Sequence, residues 1–228
     1  MGQELLIELV SDCNLRCKMC AFKSGFTYKY MDNETVRQLF EGIGEVNRKS
    51  LTYHFTDLRM DGNSEPLLYP DLPYVIKCAN GAGIENINIT TNGVLLTSTC
   101  ADQLMETNLT TLDISMTGII PEIYKEFQGY GFSNEHVRWQ IETIKKNICY
   151  FVERKKKLNK PIILTMRYII TPDTQAHFIE YVDYFKEVGA DAVMGMTLTK
   201  TELRGKCHPY GEIVGRKRCE SPEHPVIC

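Results

Sequence analysis

Residues 13–20 read Cys13-Asn14-Leu15-Arg16-Cys17-Lys18-Met19-Cys20 and directly follow an apolar run that predicts a first strand. Thiolates at this C-x3-C-x2-C spacing are typical of zinc or iron–sulfur centres, because soft ligands so close in sequence converge around one small group. Three cysteines rather than four leave one metal position open to a substrate or cofactor, whereas a four-cysteine site is coordinatively closed. The spacing therefore predicts a reactive metal site after the first strand.

Two simpler explanations of these cysteines are less well supported. Structural zinc sites usually combine paired C-x2-C units with further ligands, but no histidine lies between Cys20 and His54 and the chain has no second C-x2-C. Disulfides need an oxidising compartment, and residues 1–5 lack the basic and apolar regions of a signal peptide. We therefore expect an iron–sulfur cluster in a cytoplasmic protein.

Composition sets further bounds on the function. The 228 residues, 43% of them hydrophobic, can bury one substantial core, and no apolar stretch is long enough to span a bilayer. A net charge of −3 gives no electrostatic footprint for nucleic acid and no general attraction to anionic membranes. Three further cysteines lie in predicted helices and are interpreted as small buried apolar residues: Cys78, Cys100 and Cys149.

Strand-like and helix-like segments alternate along most of the chain. Strands are predicted over residues 4–10, 51–58, 86–91, 111–116, 161–171 and 191–196. Helices are predicted over residues 32–46, 72–82, 98–107, 133–158 and 174–188. The alternation predicts an α/β fold with parallel strands and outer helices, and six units predict a partial (β/α)6 TIM-like barrel. We expect this barrel to occupy residues 1–198 and an irregular tail with cysteines to occupy residues 199–228.

Four short motifs stand at the ends of the first four predicted strands. They are the cysteine motif, Gly62-Asn63-Ser64-Glu65-Pro66, Thr91-Asn92-Gly93 and Ser115-Met116-Thr117-Gly118. In this order they resemble the C-x3-C-x-Φ-C, G-x-G-E-P, T-N-G and S-L-D-G motifs of the radical S-adenosylmethionine (SAM) enzymes. Met19 stands where that family often has an aromatic residue, Ser64 replaces a glycine, and Thr117 replaces an aspartate. The resemblance covers roughly residues 4–200.

The resemblance implies a 4Fe–4S cluster bound by Cys13, Cys17 and Cys20, with the amino and carboxylate groups of SAM on the fourth iron. An electron from an external flavodoxin- or ferredoxin-like reductant would cleave SAM to a 5′-deoxyadenosyl radical, which abstracts hydrogen from a substrate. The resemblance also implies these residues around SAM: Met19, Gly62, Ser64, Glu65, Pro66, Asn92 and Ser115. A solvated loop carboxylate is the alternative for Glu65, and an ordinary strand-end hydroxyl is the alternative for Ser115.

Arg167 is a further candidate, on the fifth predicted strand. Alternation places Thr165, Arg167 and Ile169 on the face opposite to an apolar set that suits packing against helices. Arg167 therefore points into the barrel, where an unpaired guanidinium is costly and a carboxylate partner is needed. That partner could be the SAM carboxylate or one of three protein carboxylates: Glu8, Asp57 or Asp61.

Polar residues on and just after the first two strands are unusual where burial on both faces is expected. They predict a polar substrate pocket or a network beneath the cluster: Glu8, Asp57, Arg59 and Asp61. In the tail, Cys219-Glu220-Ser221-Pro222 resembles the start of the SPASM or twitch region that binds a second cluster in some radical SAM enzymes. An auxiliary cluster on Cys207, Cys219 and Cys228 and ordinary surface thiols both remain open.

Three functions follow from these observations. The polar barrel-facing residues favour a radical SAM enzyme that acts on a small polar metabolite, such as a sugar, an aminocyclitol or a nucleoside-like molecule. A maturase of a ribosomally made peptide is the alternative, weakened because we expect no leader-binding domain before the first strand. A non-catalytic iron–sulfur or zinc module is the third, and the motifs of the SAM site argue against it.

Overall fold

The structure, a computed structural model, describes residues 2–20 and 29–197. Strands and helices alternate along these residues. The strands are β1 (Gly2–Ile7), β2 (His54–Met60), β3 (Asn86–Thr91), β4 (Thr111–Ser115), β5 (Ile163–Ile170) and β6 (Ala192–Thr197). The α-helices are α1 (Asn33–Lys49), α2 (Leu72–Gly81), α3 (Ser98–Met105), α4 (Pro121–Phe127), α5 (Asn134–Lys157) and α6 (Phe178–Val188). The alternation is the one that the sequence predicts.

The strands form one sheet in the order β1-β2-β3-β4-β5-β6, and each neighbouring pair is parallel. Parallel neighbours need a crossover connection, which the helices between the strands provide. The predicted partial barrel is thereby confirmed. Because the strands are parallel, their carboxyl ends meet at one edge, and the loops that follow them come together there.

The two faces of the sheet have opposite chemistry. Outer positions such as Leu58, Ile89 and Met166 are fully buried against the helices, and each such side chain stabilises the fold by about 1.5–3 kcal/mol. The alternate positions form the inner face, which carries these polar residues on β2 to β5: Asp57, Arg59, Asn86, Asn88, Thr90, Thr111, Asp113, Ser115, Thr165 and Arg167. The period of two therefore separates an apolar core from a polar barrel interior.

Several strand boundaries differ from the prediction, and local contacts of the backbone explain two of the differences. β1 ends at Ile7 rather than at Val10, because Val10 instead forms an antiparallel bridge with Tyr30. β2 begins at His54 rather than at residue 51, because Ser50 Oγ accepts hydrogen bonds from the next turn of backbone. Only β3 has the predicted bounds.

Helix α4 is not predicted from the sequence. It has seven residues and no side-chain hydrogen bond at its N-cap, and a helix this short is not stable by itself. Its buried face, formed by Tyr124 and Phe127, holds it in place. By contrast, α1 and α5 have capping side chains, Asp32 and Ser133, that accept hydrogen bonds from the first turn.

Among the described residues, no helix has the length and apolar character of a membrane span.

Candidate active site

The three motif cysteines lie together in the loop after β1. All three are half-buried, and the turn is closed by a 3.0 Å hydrogen bond from Cys20 N–H to the Cys17 carbonyl. Burial and then the charges of Cys13 and Cys20 raise the pKa of Cys17 to about 12. Burial also raises the pKa of Cys13 to about 11, although a 3.4 Å hydrogen bond from Leu15 N–H to Cys13 Sγ acts to lower it. The three sulfurs are therefore close enough that thiolates, if formed together, repel one another.

This donor set fits an iron–sulfur cluster. The raised pKa values of Cys13 and Cys17 mean that thiolates are costly here without a positive group, and bound metal supplies that charge. In residues 2–20 and 29–197, no three His, Cys, Asp or Glu side chains crowd together as they do around a single metal ion. Each cysteine of a cluster binds its own iron, so a cluster does not require such crowding.

Neighbouring elements fasten the cysteine loop from two sides. Lys18 N–H donates to the Phe127 carbonyl at 2.8 Å, which ties the loop to the end of α4, and the Lys18 ammonium pairs with Glu126. On the other side, Glu65 N–H donates to the Asp12 carbonyl at 3.0 Å. The loop after β2 is thus joined to the residue that precedes the first cysteine.

Asn92, which follows β3, provides a third attachment to the cysteine loop. Its side-chain amide donates to Asn14 Oδ1 at 2.7 Å and lies 3.8 Å from Cys13 Sγ. The side-chain oxygen of Asn92, Oδ1, accepts a hydrogen bond from Val94 N–H at 3.0 Å, which fixes the orientation of the amide. Asn92 itself is buried, whereas its contacts with Asn14 and Cys13 are partly buried.

Glu65 is the buried centre of this arrangement. It is 1% exposed, so the alternative of a solvated loop carboxylate is wrong. Its Oε1 accepts from Leu67 N–H at 3.0 Å and from the Thr91 hydroxyl at 2.6 Å, and its Oε2 accepts from Asn92 N–H at 2.9 Å. Burial raises the pKa of Glu65, while the three donors oppose that rise. Both oxygens therefore join the loop after β2 to the end of β3.

Gly62 is required by a close approach of the Glu8 side chain. Gly62 has a φ of +117°, and a Cβ there would lie 2.2 Å from Glu8 Oε1. The same oxygen accepts a hydrogen bond from Asn63 N–H at 2.6 Å. Glu8 therefore holds the start of this loop, in which Ser64 is half-buried and Pro66 is buried at the start of a 3-10 turn.

Arg167 points to the inner face, but its protein partners are not those predicted. Its Nη1 donates to Thr90 Oγ1 at 3.1 Å and lies 3.8 Å from Asp113 Oδ2. The expectation of Glu8, Asp57 or Asp61 as the protein partner is wrong, because the neighbouring strand β4 supplies Asp113, which is itself in register with Thr90 of β3. Arg167 Nε is buried and has no partner among the described residues.

The predicted polar residues on and just after β2 form two groups of contacts, one that reaches β1 and one that reaches β3. Arg59 pairs with Asp61 and lies 3.3 Å from Glu4 Oε1. Asp57 accepts from the Thr56 hydroxyl and, at 2.9 Å, from the Asn86 amide.

Asp113 on the inner face of β4 was missed by the sequence analysis. The alternation of Thr111, Asp113 and Ser115 along β4 carried the signal that could have found it.

Ser115 ends β4 opposite Arg167, and its position depends on a residue that the sequence did not single out. Gln128, directly after α4, donates to the Ser115 carbonyl and accepts from Thr117 N–H, both at 2.7 Å. Gln128 is 3% exposed, so the end of β4 is fixed by a buried amide. It was missed because α4 itself was missed.

The other predicted residues have mixed outcomes. Met19 is half-buried in the cysteine loop. Cys78 and Cys100 are half-buried against the core, but Cys149 is exposed, so its interpretation as a buried apolar residue is wrong. The proposed auxiliary ligands lie outside the described residues: Cys207, Cys219 and Cys228.

The geometry defines a parallel α/β barrel with a three-cysteine loop at the carboxyl ends of its strands, and this combination agrees with a comparison with protein families. The family model for the radical SAM superfamily matches residues 7–152. The chain therefore belongs to the radical SAM superfamily. Members of this superfamily use a 4Fe–4S cluster and SAM.

Relatives with assigned names are probable GTP 3′,8-cyclases. The one from Methanococcus aeolicus is 30% identical over 190 residues, which cover 82% of this chain and 56% of the relative. The one from Sulfurisphaera tokodaii is 28% identical over 210 residues, covering 92% of this chain and 60% of the relative. The chain thus spans little more than half the length of these relatives.

Solved structures support the fold. Streptococcus suis SuiB bound to S-adenosylmethionine superposes with a TM-score of 0.69 at 16% identity, over 95% of this chain and 44% of SuiB. The protein anSMEcpe with bound AdoMet gives a TM-score of 0.66 at 20% identity, over 91% of this chain and 55% of the other. At such identities the likeness concerns the fold alone.

Proposed function

We propose that the protein is a radical SAM enzyme that acts on a small polar metabolite, with a nucleotide-like molecule as the first candidate. The observation that carries the proposal is the polar inner face of the sheet, which lies next to the cysteine loop. An apolar interior would be expected if the barrel served only as a scaffold, because burial of polar groups is costly without a partner. A polar ligand provides such partners.

The bound cofactors supply the one-electron chemistry that breaks a carbon–hydrogen bond, and an external flavodoxin- or ferredoxin-like reductant is part of the proposal. The chain's own residues bind and orient the cofactors and the substrate. Cys13, Cys17 and Cys20 hold the cluster, and Glu65 and Asn92 fix the loops around it. The other residues proposed around SAM are Met19, Gly62, Ser64, Pro66, Ser115 and Arg167.

Two arginines on the inner face differ in what they can offer a ligand. Arg59 is already paired with two carboxylates, so its charge is largely neutralised. Arg167 has a single carboxylate at 3.8 Å and a buried Nε with no partner among the described residues. Arg167 is therefore the better donor to an anionic group, either the SAM carboxylate or a group of the substrate.

The nucleotide-like candidate rests on the relatives. Probable GTP 3′,8-cyclases match most of this chain, although the chain spans little more than half of their length. The amide of Asn88 and the hydroxyl of Thr90 on the inner face of β3 suit the hydroxyl and ring groups of such a molecule.

Anaerobic reconstitution with iron and sulfide tests the proposal. We expect a brown protein that converts SAM to 5′-deoxyadenosine in the presence of dithionite. Candidate substrates labelled with deuterium on carbon, including GTP, other nucleotides and sugars, are then added. Deuterium in the 5′-deoxyadenosine identifies the substrate, because it records hydrogen taken from that molecule.

Matched cysteine variants make the test specific. Cys17→Ala should lose both the bound iron and SAM cleavage, whereas Cys149→Ala, an exposed cysteine on α5, should keep both. SAM cleavage that persists in Cys17→Ala contradicts the proposal. A cluster without SAM cleavage would instead favour a non-catalytic module, and deuterium transfer from a peptide alone would favour a maturase.

A further inference from the structure

Tyr124 on α4 lies next to the cysteine loop. Three residues further along the helix and on the same buried face, the Phe127 carbonyl accepts the 2.8 Å hydrogen bond from Lys18 N–H, between the second and third cysteines. The Tyr124 carbonyl accepts from Gln128 and Gly129 N–H groups, so the end of the helix is fixed. After burial, the charges of Cys17 and then Cys13 are the causes that raise the pKa of Tyr124.

The Tyr124 hydroxyl is an unused donor in this setting. The side chain is 0% exposed, and its oxygen has no hydrogen-bond partner among the described residues. Burial of a hydroxyl without a partner is costly, and phenylalanine would fill the same space without that cost. The Tyr124 hydroxyl is therefore available to an acceptor that binds beside the cysteine loop.

We propose that the Tyr124 hydroxyl donates a hydrogen bond to a sulfur of the bound iron–sulfur cluster, either a sulfide or Cys17 Sγ, and thereby raises the reduction potential of the cluster. The inference rests on the proposed function, which places a cluster on the three cysteines. Reduction adds negative charge to the sulfurs, so a donated hydrogen bond stabilises the reduced form more than the oxidised form. Tyr124 is a positioning and tuning residue in this role, because it acts through the cluster.

Tyr181 on α6 is a matched control in the same chain. It is also buried at 1% exposure, and its hydroxyl also lacks a partner among the described residues. Its surroundings differ, because it packs against Tyr168 and Phe185 rather than beside the cysteine loop. Removal of its hydroxyl tests the general effect of deleting a buried O–H group far from the motif cysteines.

The experiment measures the midpoint potential of the reconstituted cluster in wild type, Tyr124→Phe and Tyr181→Phe by redox titration followed by electron paramagnetic resonance. We expect unchanged iron content in all three proteins and a more negative potential in Tyr124→Phe alone. Without iron, both variants should unfold at or above the wild-type temperature, because each loses an unpaired buried hydroxyl. Tyr124→Met repeats the measurement should Tyr124→Phe not fold.

The outcomes separate this inference from the proposed function. If Tyr124→Phe has the same cluster potential as wild type, or if Tyr181→Phe shifts the potential by the same amount as Tyr124→Phe, the role of Tyr124 is overturned. The proposed function then remains intact. A wild-type protein that binds no cluster overturns both.

Discussion

Gly62→Ala is the substitution whose cost the structure defines most fully. A φ of +117° is unfavourable for any residue with a side chain, at about 1–3 kcal/mol. The new Cβ would lie 2.2 Å from Glu8 Oε1 and 2.8 and 2.9 Å from Glu8 Cγ and Cδ. Glu8 must therefore move, and its hydrogen bond from Asn63 N–H, worth about 1 kcal/mol, is lost.

These contributions lower the free energy of unfolding by about 2–4 kcal/mol. For a chain of this length each kcal/mol corresponds to roughly 2–4 °C in Tm, so we expect Gly62→Ala to melt roughly 5–15 °C below wild type. Circular dichroism of the metal-free protein measures the change. SAM binding to the reconstituted protein should weaken as well, because the same loop carries Glu65.

Two backgrounds separate the clash from the backbone strain. In Glu8→Ala the clashing side chain is absent, so adding Gly62→Ala should cost only the strain. Gly131→Ala is the matched control, because Gly131 has a φ of +85° and no atom within 4 Å of a built Cβ. An equal loss from Gly62→Ala in both backgrounds would refute the assigned role of Glu8.

Two further predictions concern carboxylates. Glu65→Gln keeps one acceptor oxygen but turns an NH2 group toward Asn92 N–H, so we expect the free energy of unfolding, measured by urea denaturation, to fall by about 1–3 kcal/mol. The exposed control Glu153→Gln should leave it unchanged. Equal stability of Glu65→Gln and wild type would contradict the role of Glu65. Hydrogen bonds from Arg154 and then Tyr150 lower the pKa of Asp102 below its ordinary value of 3.8. The Asp102 carboxylate therefore stabilises the folded protein above pH 3.8, and this stabilisation is lost as the pH falls through the lowered pKa. Melting temperatures of wild type and Asp102→Asn should therefore differ at pH 6 and converge near pH 2, and a constant difference would exclude this linkage.

Much of the fold followed from short-range pattern. The alternation around Arg167 predicted two faces of β5, and Leu164, Met166 and Tyr168 are indeed fully buried on one of them. Such predictions succeed because a strand repeats every two residues, whatever it packs against. The boundaries of β1 and β2 were less predictable, since bridges and turns compete with the sheet for the same backbone groups.

Partners in the site could not be read from the sequence. Glu65 accepts a hydrogen bond from Thr91, which is 26 positions away in the sequence, and the Asn92 amide contacts Cys13, which is 79 positions away. Arg167 lies beside Asp113 rather than beside Glu8, Asp57 or Asp61, because sheet register decides which inner positions are neighbours. Tyr124 lies on a helix too short to be signalled by its own residues.

The sequence by itself determined the cysteine spacing, the order of the six strands and of every α-helix but α4, and the residues that face into the barrel, because each depends on residues a few positions apart. Only the tertiary structure decided which side chains share a hydrogen bond at the carboxyl ends of the strands. Those contacts join loops that are distant along the chain, and the parallel sheet alone brings such loops to one edge.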